Sequence, residues 1–270
     1  MPRIDDKCPC NSGRKHKNCC MKKISKRNFP KEGELKTYPE KFAVNGLLNS
    51  VKEFKNFYDN ERKNISGKVY WAEYDLEPGT AGMCSLQEPD GSNLVLLSII
   101  PPPFEHAFTV AHELGHLLRK SADNRFSIAF RDDKSGHGSF INSMIEDHLV
   151  DSILAKYGFD LEAEYEQNLR HQMTIIESSD YFLDEINALT SFTNFKLRCD
   201  LIGERFTTWQ EVEELLKSKF PDLADGVNEL YHFIKENQNE IHTNERKVRL
   251  WRLIHAIAAR HPARSHLGLD

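Results

Sequence analysis

No stretch of this 270-residue chain is apolar for long enough to cross a bilayer: the longest apolar run is near Leu94 to Ile100, against the roughly 20 residues that a spanning helix needs. The opening residues Met-Pro-Arg-Ile-Asp-Asp-Lys lack the apolar centre of a secretory signal peptide. Basic excess is missing too. The net charge is −5, so the chain as a whole is not built to bind nucleic acid. There is no internal repeat or low-complexity tract. A globular, cytoplasmic protein is expected, since 39% hydrophobic and 10% aromatic residues are enough to bury a core. The length suits one large domain, or a medium domain with an appendage.

Cysteine is scarce but clustered. Of six cysteines, four fall in the first twenty residues, while Cys84 and Cys199 stand alone and read as small buried side chains. In a reducing compartment such a cluster points to metal rather than disulfides. The run Cys8-Pro-Cys10-Asn-Ser-Gly-Arg-Lys-His-Lys-Asn-Cys19-Cys20 offers four thiolates to one Zn²⁺ and leaves no open position, the mark of a structural site. So short a unit cannot bury a core, so metal binding must supply most of its folding free energy. His16, inside the run, reads as a surface residue. Residue by residue the run resembles the SEC-C zinc-binding motif, with Cys20 where some members carry His. Arg14, Lys15, Lys17, Lys22, Lys23, Lys26 and Arg27 make this end basic. That suits contact with an acidic partner protein or ribosomal RNA, or a solvated arm, and the resemblance implies docking.

The chemistry centres on Phe108-Thr-Val-Ala-His112-Glu113-Leu-Gly-His116-Leu-Leu118. Two histidines four residues apart on a helix lie one above the other and reach a single ion. Glu113 stays off the metal and can move the proton of an attacking water. Both histidines sit among apolar positions, where unpaired imidazoles need partners. Gly115 in a helix interior costs about 1 kcal/mol relative to Ala, which predicts a close approach there. The preceding Leu94–Ile100 reads as a strand whose edge would align an extended substrate. His137, in the polar stretch 121–139, reads as a loop surface residue.

The third metal ligand is expected from the helix Ile141–Gly158, which offers Glu146, Asp147, His148 and Asp151. Helical phase puts Glu146 on the inward face defined by Ile145, Leu149, Val150 and Ile153, where a carboxylate needs a cation. Asp147 and Asp151 point into the polar gap beside it. Glu146 is therefore ranked first, His148 second and Asp147 third.

Strand, His-Glu-Leu-Gly-His helix and later acidic helix together resemble the gluzincin-type metallopeptidases, in particular the ImmA/IrrE-like family, over about residues 40–158. Leu149-Val150-Asp151 stands where such proteins often have Ala-Asn after the ligand glutamate. The resemblance implies proteolysis of a protein substrate.

The expected fold is α+β: a mainly helical zincin-like unit with a small antiparallel sheet, plus a short N-terminal zinc module. Its divisions are 1–24 for the zinc module, 25–39 for a linker, 40–158 for the catalytic domain and 159–270 for helices packed on it. One helix is expected from Glu40 through Phe54, strands over Lys68–Tyr74 and Ala81–Leu86, and five helices after Leu161. Thr208-Trp-Gln-Glu211 reads as a capping box, and the last helix as a core-packing element with a basic outer face. The expected activity is that of a zinc metallopeptidase holding two Zn²⁺ ions, one catalytic on His112, His116 and Glu146, the other structural. The competing readings are a zinc-stabilised adaptor that binds a partner protein or the ribosome through its N-terminal module, and hydrolysis of a non-peptide amide.

Overall fold

Asn93-Leu-Val-Leu-Leu97 is buried at every position, as expected of a strand covered on both faces. The computed structural model describes residues 36–74, 82–85, 92–122, 126, 137–179, 184–203 and 206–260. Its sheet contains β1 (Thr37–Tyr38), β2 (Val69–Glu73), β3 (Gly82–Ser85) and β4 (Asn93–Leu97), in the order β1-β2-β4-β3. β1–β2 and β3–β4 pair antiparallel, but β2 and β4 are parallel, Val69 opposite Asn93 and Glu73 opposite Leu97. The expectation of a purely antiparallel sheet is thus corrected. β3 takes the edge beyond β4, which leaves β2 and β4 pointing the same way. Consequently β4 has neighbours on both sides, and among the described residues the outer strand beside α3 (Ala107–Ser121) is β3.

Side chains alternate across the sheet. Val69, Trp71, Val95 and Leu97 face the main core, while Ala72, Leu94 and Leu96 form a second, smaller cluster with Tyr70 and Tyr74 against it. The main core runs unbroken from Ala43 to Ile257, so residues on both sides of the expected boundary near 158 share it.

Nine α-helices are described: α1 (Glu40–Ser50), α2 (Lys52–Glu61), α3 (Ala107–Ser121), α4 (His137–Ala155), α5 (Leu161–Ser178), α6 (Glu185–Cys199), α7 (Thr207–Lys219), α8 (Pro221–Glu236) and α9 (Asn244–Ala258). The single helix expected over 40–54 is two, broken at Val51 with φ −117° and ψ 106°. Asn49, Ser50 and β-branched Val51 are weak helix formers. Arg62 closes the pair by donating to both oxygens of Glu40, at 2.5 and 2.9 Å. The capping box at Thr208 does not form. Thr208 lies inside α7 and its hydroxyl donates to Glu166 at 2.5 Å. Side-chain caps open α5, α6 and α9 instead, where Asp160, Asp184 and Thr243 each accept from a backbone N–H three residues on. α9 packs Leu250, Ile254 and Ile257 into the core, as its pattern predicts. No helix of the described residues is long and apolar enough to cross a membrane.

α3 and α4 set the site. α3 buries Val110, Ala111, Leu114 and Leu117 completely, and Lys120 ties its end to the sheet by donating to Asn93 at 2.8 Å. α4 is sandwiched between α3 and α6, which explains buried residues all round it. The close approach that Gly115 predicts is present: a Cβ there would stand 2.5 Å from Val150 Cγ1 on α4. Gly115→Ala is therefore expected to lower stability by about 1–2 kcal/mol, as overpacking outweighs the gain in helix propensity. Adding Val150→Ala should recover part of that loss, and strictly additive effects in denaturant melts would contradict the packing argument.

Candidate metal centre

Three helices each contribute two residues one turn apart, and these three pairs meet: His112 and His116 from α3, Asp147 and Asp151 from α4, Asn194 and Arg198 from α6. Spacing of four residues puts each pair on one face of its helix.

His112 Nε2 and His116 Nε2 lie 3.1 Å apart. Asp147 Oδ1 stands 3.6 Å from the first and 3.4 Å from the second. Ligand atoms bound tetrahedrally at about 2.0–2.1 Å would lie about 3.3 Å from one another, a value these three separations bracket. The donor set, two imidazoles and a carboxylate, suits zinc. Among the described residues this is the one group of three or more His, Cys, Asp or Glu side chains arranged to hold a metal ion.

A second tier fixes these groups. Asp151, fully buried, accepts from His112 Nδ1 at 2.8 Å. A carboxylate only accepts, so the proton sits on Nδ1 and Nε2 faces the cluster. Asp151 Oδ2 is held by the Tyr165 hydroxyl and by Arg198 Nε, and the Arg198 guanidinium also lies over the Tyr165 ring at 4.6 Å. Asp147 turns its other oxygen to Asn194 Nδ2 at 3.0 Å and Arg198 Nη1 at 3.8 Å.

Burial disfavours charge on His112, but Asp151 and Asp147 outweigh it and push the imidazole up to about 10. Burial likewise opposes ionised Asp147, yet the His112 and His116 imidazoles beside it hold its carboxyl well below the ordinary range. Asp151 is lowered against its own burial by Arg198 and His112. With no metal, a proton on His112 thus supplies the missing positive charge.

The sequence-predicted residues are distributed as follows. His112, His116 and Asp147 come together. Glu113 is buried next to His112 on α3, and no described side chain forms an ion pair with it. Glu146, ranked first as third ligand, points elsewhere. It is 2% exposed, as its phase implies, but its cation is Arg119, which donates to both oxygens at 3.0 and 3.1 Å while the Phe126 N–H donates to one of them. His148 turns towards α6 and α8, where burial and then Lys235 lower its pKa. His137 begins α4 rather than lying in a loop, and stands 3.8 Å from Asp184. Cys199 is buried, and burial foremost pushes its thiol up to about 12. Sequence reasoning missed Asn194, Tyr165 and Arg198, and offered Asp151 only as an unranked candidate ligand, whereas it is the hydrogen-bond partner of His112 Nδ1. The available signal was the four-residue spacing of Asp147 and Asp151, which repeats that of the histidines.

A family model for the SEC-C motif matches residues 6–22, the stretch that holds Cys8, Cys10, Cys19 and Cys20. Those four residues lie outside the described ones. No curated protein and no solved structure matches the chain.

Metal binding must displace the His112 proton, so zinc affinity of the His112/His116 site should strengthen with pH up to about 10, by as much as about ten-fold per unit for each proton released. In the metal-free protein the sign reverses. The His112 proton adds stability that is complete below its ordinary pKa of 6.5 and is lost as pH rises through about 10. Zinc titrations between about pH 6 and 8, compared with a His112→Ala/His116→Ala protein, test this; a pH-independent difference would contradict it.

Proposed function

We propose that this protein is a zinc-dependent hydrolase of amide bonds, a metallopeptidase, in which His112, His116 and Asp147 hold the metal and Glu113 carries the proton. The observation that supports it most is the triangle of His112 Nε2, His116 Nε2 and Asp147 Oδ1, with sides of 3.1, 3.4 and 3.6 Å. Asp147 here replaces Glu146, whose carboxylate is taken by Arg119.

Zinc, when bound, supplies a Lewis acid that polarises a carbonyl and makes water a stronger acid. The chain's own residues do the rest. Asp151 fixes the His112 ring and its tautomer through Nδ1. Glu113 accepts the proton of the attacking water and returns it to the leaving amine. Among the described residues β3 pairs with β4 alone and packs against α3, so an extended peptide adding to its outer edge would run beside the zinc helix. The resemblance to ImmA/IrrE-like peptidases, carried by the strand, the His-Glu-Leu-Gly-His helix and the acidic helix after it, favours a protein substrate. The SEC-C motif at residues 6–22 supports a separate structural zinc and a docking role for that end in the cytoplasm.

Purified protein should contain about two zinc ions per chain, and about one after His112→Ala/His116→Ala. Glu113→Gln should keep both ions while peptide hydrolysis falls by at least about a hundred-fold. Full zinc with unchanged biological activity in Glu113→Gln would instead favour the adaptor reading.

A further inference from the structure

We propose that Asn194 is a positioning residue that restricts Asp147 to a single oxygen on the metal and so keeps the centre four-coordinate; the inference rests on the hydrolase reading above. A carboxylate can bind an ion through one oxygen or through both. Smaller coordination numbers belong to zinc chemistry, whereas higher numbers of oxygen ligands suit harder ions. Asp147 Oδ1 faces the histidines, at 3.4 and 3.6 Å. Its Oδ2 is engaged from the opposite side by Asn194 Nδ2 at 3.0 Å, with Arg198 Nη1 farther off at 3.8 Å.

The orientation of the amide follows from chemistry. Ionised Asp147 only accepts, so the atom of Asn194 that touches it is the NH₂ group. In that orientation Asn194 Oδ1 is buried with no hydrogen-bond partner among the described residues, a loss of about 1–3 kcal/mol for a polar atom. The amide forgoes one bond to keep the other on Asp147. A purely structural asparagine between α4 and α6 has no need of that arrangement. Arg198 is the cation that faces the two aspartates from α6, so the distinct contribution of the neutral Asn194 is directional: it donates to Oδ2, the oxygen that a second metal contact would use.

Cobalt(II) as probe reads coordination number, because four-coordinate cobalt absorbs visible light far more strongly than five- or six-coordinate cobalt. The spectrum is taken on the full chain, as a difference from His112→Ala/His116→Ala, which removes any signal of the cysteine-rich segment. Asn194→Leu fills the space without a donor, and Asn194→Ala leaves it open. Both are expected to weaken the histidine-dependent band several-fold and to loosen zinc by about ten-fold, the usual effect of removing a partner that orients a ligand. An intact band and zinc affinity in folded Asn194→Leu would overturn the proposal, as would a lowered melting temperature with the spectrum unchanged. If the unsubstituted protein shows no histidine-dependent band, the hydrolase reading fails and takes this inference with it.

Discussion

Two aspartates buried one turn apart on α4 must be neutralised, and most of the centre follows from that requirement. An unpaired carboxylate in the interior is costly enough that it pairs, protonates or coordinates metal. Asp147 and Asp151 share one permanent cation, Arg198. One positive charge is still missing. In the metal-free protein a proton on His112 can provide it, since the imidazole is pushed up to about 10. A divalent ion at the same place provides it better, and through atoms already turned towards one another. The proposed site is therefore an exchange of proton for metal inside a fixed frame of hydrogen bonds, rather than a surface cluster that an ion would have to organise.

The frame depends on three helices, not two. Gly115 lets α3 and α4 approach until Val150 would touch any added methyl, which brings the histidine and aspartate pairs within reach. α6 then closes the far side with Asn194 and Arg198, and α5 adds the Tyr165 hydroxyl. Residues well beyond 158 thus hold the centre from behind. The C-terminal helices fix the carboxylates, in addition to packing on α4 and on one another.

Much of this was legible in the sequence, and the failures have physical causes. The His112/His116 pair, the close approach at Gly115 and the helices after Leu161 all follow from local spacing, which a single sequence displays. Burial of Glu146 was also legible, as was its need for a cation. Which cation was not, because Arg119 and Zn²⁺ satisfy the same electrostatic argument and only the packing of α3 on α4 separates them. Asp147 was placed in a polar gap and ranked last for that reason. The gap is where α6 delivers Asn194 and Arg198, side chains about 50 residues away in sequence, so no local period could reveal it. The parallel β2–β4 pair escaped notice similarly, because strand order is set by which edges remain free.

The central claim is that Asp147, and not Glu146, completes a zinc site with the two histidines. Anomalous diffraction at the zinc edge from zinc-loaded crystals tests it most directly. The account predicts a peak about 2.0–2.2 Å from His112 Nε2, His116 Nε2 and an oxygen of Asp147, with Glu146 still on Arg119. A peak bonded to Glu146, or no peak between the histidines at full zinc loading, would contradict it.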